Sequence, residues 1–186
     1  GMTVEEDVAF GPANLGYPAA ELRRRVDFAL EMTGLRGMEQ RAPHTLSGGE
    51  KQLLAMAGLL AMEPKLIILD EPTASLDLEG RNKVLGLIKD LHARGIAIIY
   101  VTHNLEEAAL AERVLVMEKG RIIADDSSAN VLSRVEWLQS LGLAPPRITE
   151  LLWTLQQHGL DLPINLFSIE TAGQEIISLF QQTRSK

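Results

Sequence analysis

The sequence predicts an α/β fold built on a mostly parallel sheet. Two short apolar runs, Leu66–Leu69 and Ile96–Val101, are each followed by a helical pattern. The first is a solid apolar run bounded by a lysine and two acids, which is how a strand buried on both faces of a parallel sheet reads; the second is another apolar strand. Hydrophobic content of 46% against 23% charged supports a packed core over disorder.

Along the chain, residues 3–18 (TVEEDVAFGPANLGYP) contain turn formers at Gly11-Pro12, Gly16 and Pro18. Residues 20–34 are helical in pattern, with Leu22, Val26, Ala29, Leu30 and Thr33 near one face, and Gly34 and Gly37 close the segment. Ser47 opens a second helix that runs to about Met62 and stops before Pro64. Leu78–Arg94 is helical, with a stripe of Val84, Leu87, Ile88 and Leu91, and Gly95 breaks it. A short helix is expected over Asn104–Glu112. Val114–Glu118 and Arg121–Ala124, joined by Lys119-Gly120, read as a hairpin. Beyond Ser133, Pro145-Pro146 and Pro163 punctuate amphipathic helices near 148–158 and 171–181, an appendage of about 50 residues.

Composition narrows the function. A net charge of −7 gives no electrostatic reason to expect nucleic acid, which needs a basic face. The absence of cysteine excludes a disulfide framework and a thiolate metal site. No apolar run reaches the roughly 18 to 20 residues that span a bilayer, and no signal peptide opens the chain, so any membrane role is expected to be peripheral. Gly1 before Met2 reads as the remnant of a cleaved tag.

Four segments carry candidate chemistry. In Leu46-Ser47-Gly48-Gly49-Glu50, Ser47 and Glu50 have the spacing of a capping box. The same helix start, with two glycines, also offers free amides and a positive dipole end to an anion. In Leu66-Ile67-Ile68-Leu69-Asp70-Glu71-Pro72, two adjacent carboxylates end a buried strand, where ligands of open α/β sheets bind. Asp70 is the candidate Mg²⁺ ligand, and Glu71 the group that orients or deprotonates an attacking water. The competing reading has both capping the next turn. Thr73-Ala74-Ser75-Leu76-Asp77 follows directly and reads, by itself, as a cap for the helix at 78. His103 ends the second strand; alone it is structural, but beside a second strand's carboxyl end it is a candidate for the same site. His44, His92 and His158 have no such placement.

In type, order and spacing these segments resemble the ATP-binding-cassette family: LSGGE, LIILDEP, ASLD and VTH. The resemblance implies that Ser47, Gly48, Gly49 and Glu50 form the signature loop, which meets the γ-phosphate of ATP held by a partner subunit. It further implies that Asp70 is the Walker B aspartate, Glu71 the catalytic glutamate, Ser75 to Asp77 the D-loop and His103 the switch histidine. A narrower resemblance, to energy-coupling-factor transporter ATPases of cobalt, nickel and vitamin importers, covers nearly the whole chain. It rests on TVEEDVAFGPANLGYP at one end and on Leu141-Gly142-Leu143 ahead of Pro145-Pro146 at the other.

That family implies a P-loop-type nucleotide-binding domain. Residues 2–132 would be its C-terminal part, with a helical subdomain over about 3–62 and the Walker B and switch core over about 63–132; 133–186 would be a C-terminal extension. It also implies ATP and Mg²⁺ as cofactors of the parent protein. The implied partners are a second ATPase subunit, a transmembrane coupling protein and a substrate-binding membrane component, with the subunit peripheral on the cytoplasmic face. The alternatives are a non-catalytic module that supplies only the signature half-site to a complete partner, and a DNA-repair or chromosome-type ATPase. The second lacks support, because no heptad run for its coiled coils is present.

Two departures stand out. Gln52 is followed by Leu53 where the family commonly has arginine. More important, a P-loop needs Gly-Lys followed by Ser or Thr. The residues preceding Lys51, Lys65, Lys83, Lys89, Lys119 and Lys186 are Glu50, Pro64, Asn82, Ile88, Glu118 and Ser185. The adenine-stacking aromatic and the Q-loop glutamine are expected upstream of residue 1, and the chain alone is expected to be inactive.

Overall fold

The computed structural model describes residues 1–184, which form two compact units, residues 1–101 and from 102 onward.

The first unit begins with helix α1 (Val4–Asn14), where a turn-rich stretch was expected. Its start is a capping box: the Thr3 hydroxyl accepts from the Glu6 N–H, and the Glu6 carboxylate accepts from the Thr3 N–H. Pro12 lies inside the helix. Having no N–H, it cannot donate to the carbonyl four residues back, so the ladder lacks one rung near the helix's C-terminal end. At Gly11 an added Cβ would stand 2.6 Å from the Met62 Sδ, so that flexible side chain would have to move.

Helix α2 (Ala19–Thr33) ends at Gly34, whose φ of 70° is the left-handed cap that glycine adopts without strain. The buried Arg25 ties α2 to the chain beyond the next helix. It donates to Glu21 at 2.7 Å and to the Ala61 carbonyl at 3.3 Å, pairs with Glu63 at 2.9 Å, and lies 4.0 Å from the Tyr17 ring centroid. Hydrogen bonds from Arg24 and then Arg25 hold the Glu21 carboxyl down at about 2, against an ordinary 4.5. A carboxylate lowered in this way stabilises the fold fully above pH 4.5 and loses that contribution as the pH falls toward 2. The urea midpoint is therefore expected to fall less steeply over this window in Glu21→Gln than in the parent; parallel curves would refute it.

Helix α3 (Gly48–Leu60) follows a single 3-10 turn at Pro43–Thr45. Strand β1 (Leu66–Asp70), helix α4 (Leu78–Ala93) and strand β2 (Ala97–Val101) complete the unit. β1 and β2 pair in parallel, with Leu66 opposite Ala97, Ile68 opposite Ile99 and Asp70 opposite Val101. Ile67, Leu69, Ile98 and Tyr100 point into the core shared with α1 to α4. The expectation that the Leu66–Leu69 strand is buried on both faces is corrected. Leu66, Ile68, Ile99 and Val101 are exposed, Ile68 by 62%, because the helices that pack on the sheet occupy one face only.

Two helix-interior glycines in this unit, Gly58 on α3 and Gly86 on α4, have no heavy atom within 4 Å of an added Cβ. Gly58→Ala and Gly86→Ala are each expected to raise stability by about 0.5–1 kcal/mol, since alanine restricts the unfolded chain and favours the helix. Denaturant melts that show a loss in either would contradict the open space around these positions.

In the second unit, helix α5 (Leu105–Ala108) is shorter than the 104–112 expected, turning out at Leu110. Strands β3 (Arg113–Glu118) and β4 (Arg121–Ser127) form the expected antiparallel hairpin, longer than its apolar core. Lys119 and Gly120 both take positive φ, 49° and 76°, as a two-residue turn of type I′ requires. Helices α6 (Ser128–Leu132) and α7 (Val135–Ser140) follow, then α8 (Arg147–Gln157) and α9 (Ile169–Arg184). Val131, Leu132 and Leu138 pack with the hairpin, while Leu152, Leu162 and Ala172 form a separate small core under α8 and α9. No helix among the described residues is long and apolar enough to cross a membrane.

Candidate functional site

The start of α3 is built by reciprocal capping. The Ser47 hydroxyl accepts from the Glu50 N–H at 3.2 Å, and the Ser47 N–H donates to the Glu50 carboxylate at 2.7 Å. That backbone bond, followed by the Ser47 hydroxyl, holds the Glu50 carboxyl below its ordinary range. Glu50 is thus turned back onto its own helix. Ser47 and Gly48 are exposed and Gly49 is half-buried. The first-turn amides of a helix have no partner within it, so this surface presents N–H groups and a positive dipole end. The capping reading of this segment is seen directly, and the glycines leave the backbone of the helix start accessible.

Asp70 ends β1 on the exposed face. Glu71, the next residue, is half-buried with φ of 46°, in the left-handed region. For a residue with a Cβ this costs about 1–2 kcal/mol. The position is fixed from both sides: the Glu71 N–H donates to the Val101 carbonyl at 2.9 Å, and the Glu71 carbonyl accepts from the Ala74 N–H at 3.2 Å. A strained non-glycine residue at a strand's exit is a pointer to function. Its φ has no signal in the sequence.

The loop that follows is anchored at both ends. Thr73, buried, shares a hydrogen bond with the Tyr100 hydroxyl of β2 at 3.1 Å. Asp77 caps α4 by accepting from the Gly80 N–H at 2.8 Å. Between them Ser75 is exposed and Leu76 half-buried. This unit brings the signature segment and the D-loop segment together. A Cβ at Gly49 would lie 3.0 Å from the Gly80 Cα, and one at Gly48 would lie 3.9 Å from the Leu76 Cδ2. Gly80 and Tyr100 were not singled out from the sequence, and Thr73 entered only as part of the Thr73–Asp77 segment. Asp77-x-x-Gly80 at a helix start was the available sign, since a buried glycine there leaves room for another backbone.

His103 belongs to the second unit, exposed in the bend that precedes α5. Side chains shape that bend: the Thr102 hydroxyl accepts from the Asn104 N–H at 3.0 Å and donates to Glu107 at 3.3 Å, while Asn104 caps α5 through the Glu106 N–H at 3.1 Å.

No group of three or more His, Asp or Glu side chains that could hold a metal exists among the described residues. A single exposed carboxylate such as Asp70 nonetheless fits Mg²⁺, which takes one or two protein carboxylates and fills its remaining positions with water and substrate phosphate.

Comparison with known proteins agrees with this arrangement. The model of the ABC transporter family matches residues 1–74. The chain is 51% identical over 176 residues to the cobalt import ATP-binding protein CbiO of Syntrophus aciditrophicus, covering 95% of this chain and 63% of that protein. It is 46% identical over 184 residues to the energy-coupling factor transporter ATP-binding protein EcfA of Methanosarcina acetivorans, covering 98% of this chain and 67% of the relative. Among solved structures, cbiO1 of Clostridium perfringens, part of the ABC transporter complex cbiONQ, superposes with a TM-score of 0.67 at 39% identity, over 81% of this chain and 61% of that one. The chain thus spans a little under two thirds of the length of the cobalt import relative. With this extent of identity along nearly all of its residues, the chain belongs to the ATP-binding-cassette transporter ATPases of the energy-coupling-factor type.

Proposed function

We propose that these residues form the signature, Walker B and switch portion of an ATP-hydrolysing subunit that powers a small-solute importer of the energy-coupling-factor type. One observation carries the reading: the open helix start at Ser47–Gly49 and the loop after Asp70-Glu71 lie against each other in one unit. The anion-facing helix start is thereby packed on the segment that follows the acidic pair, at Leu76 and Gly80.

In this reading Ser47, Gly48 and Gly49 offer a hydroxyl and backbone amides to the γ-phosphate of ATP held by a second subunit. Glu50 holds the helix start in shape. Asp70 holds Mg²⁺, which neutralises charge on the phosphates when bound. Glu71 orients or deprotonates the attacking water, and His103 is the switch histidine. Ser75 and Asp77, on the D-loop, face the subunit boundary. Residues 2–132 act as the C-terminal part of the nucleotide-binding domain and 133–186 as its extension. The membrane partners, a coupling protein and a substrate-binding component, hold the subunit peripherally at the cytoplasmic face and set the solute. The names of the relatives support an importer and, for one of them, cobalt as cargo.

The test is kinetic. A subunit in which these residues follow a P-loop segment is expected to hydrolyse Mg-ATP at a rate that rises with the square of subunit concentration at low concentration, because each site needs two subunits. A rate linear in concentration throughout that range would overturn the shared-site reading.

A further inference from the structure

We propose that Gly80, with the Asp77 cap beside it, is a positioning residue for the signature loop. It sets Ser47–Gly49 and the D-loop as one unit within each subunit. The proposal rests on the reading that the signature loop meets a partner's ATP, and it names the contact that places that loop.

Helices α3 and α4 cross at their first turns, where backbone meets backbone. A Cβ on Gly80 would stand 3.2 Å from the Gly49 Cα, 3.0 Å from the Asp77 Oδ1 and 3.6 Å from the Leu76 Cβ. Contacts of 3.0 to 3.2 Å are tighter than most Cβ contacts, so the neighbours must shift slightly, and on the α3 side the obstacle is main chain, which cannot swing away as a flexible side chain would. Gly80 is buried, so a methyl group has no solvent to turn into. The neighbours that must give way are therefore the Asp77 cap and Gly49, whose amide belongs to the anion-facing turn.

The start of α4 is itself set from the D-loop. The Gly80 N–H is held by Asp77 at 2.8 Å, and the far end of that loop is tied to β2 through Thr73 and Tyr100 at 3.1 Å. A displacement of the loop thus reaches Gly49 through two direct contacts, Asp77 to Gly80 and Gly80 to Gly49. Sensing at the D-loop and phosphate recognition at the signature loop share one rigid link.

The experiment uses a P-loop-bearing subunit in the Glu71→Gln background, with Mg-ATP-dependent pairing followed by analytical ultracentrifugation. ATP affinity of the unpaired subunit is read separately at low protein concentration. Gly80→Ala is expected to raise the ATP concentration for half-maximal pairing at least about 10-fold and to leave the unpaired subunit's affinity within about twofold. Gly86→Ala, on the same helix but in open space, is expected to change neither. Should Gly80→Ala fail to fold, Asp77→Ala and Asp77→Ser carry the test. Alanine loses the cap and pairing, whereas serine, a good N-cap, restores pairing to within about threefold. Failure of serine to restore it would overturn the role of the cap. Gly80→Ala pairing like its parent would overturn this proposal alone. No ATP-dependent pairing in the Gly80-intact parent would overturn the signature-loop reading and this proposal with it.

Discussion

In a subunit that carries a P-loop, Glu71→Gln is expected to lower turnover at least about 100-fold while ATP binding is retained. Glutamine keeps the shape of the side chain and the backbone bond from the Glu71 N–H to the Val101 carbonyl. What it loses is the negative charge that attracts a proton from water. A residue whose role is to cap a turn would show the reverse: about 1 kcal/mol of stability lost and activity kept. The positive φ at Glu71 separates these readings further. Glu71→Gly relieves the backbone strain and is expected to raise the melting temperature while abolishing turnover, a trade of activity for stability that a capping residue would not produce. Phosphate release measured alongside equilibrium ATP binding decides the matter; turnover within threefold of the parent would remove Glu71 from the catalytic role.

The second large effect concerns the 186 residues on their own. Isothermal titration with Mg-ATP is expected to detect no low-micromolar site. None of the six lysines follows a glycine, so no Gly-Lys-Ser/Thr cradle exists to hold a triphosphate. The groove between α2, α3 and α4, of about 400 Å³, does not replace it. It is lined by Glu31, Glu50 and Asp90 against one cation, Lys83, and so repels a polyanion. Weak binding of Mg²⁺ at Asp70 is compatible with this outcome. A stoichiometric ATP site of low-micromolar affinity is not.

Much of the site was legible because its chemistry is local. Ser47 and Glu50 are three residues apart and find each other within one helical turn. Asp70 and Glu71 end an apolar run whose direction in an α/β sheet already places them at a ligand-binding edge. What escaped was non-local or conformational. The same capping chemistry at Thr3 and Glu6 passed unnoticed because Gly11-Pro12 reads as a break, whereas the helix continues through Pro12 with one donor missing. Helices α6 and α7, of five and six residues, are shorter than the window in which a 3.6-residue period shows. Whether Leu66–Leu69 is covered on one face or two depends on what packs against it, and an unbroken apolar run is the same in both cases. The meeting of Gly49 with Gly80 joins positions 31 residues apart in number and depends on a helix crossing that neither segment encodes alone.

The open face of the sheet has a calorimetric consequence. The heat capacity released on unfolding comes mainly from apolar surface that becomes hydrated, at about 0.45 cal/mol/K per Å². Leu66, Ile68, Ile99 and Val101 are already about half hydrated in the folded chain, at 48%, 62%, 49% and 47% exposure. Their contribution to that change is correspondingly reduced. Spread over 186 residues the reduction is on the order of 1 cal/mol/K per residue, small beside the usual ~12–15 cal/mol/K. Its sign is to flatten slightly the dependence of stability on temperature, relative to the same chain with that face of the sheet covered.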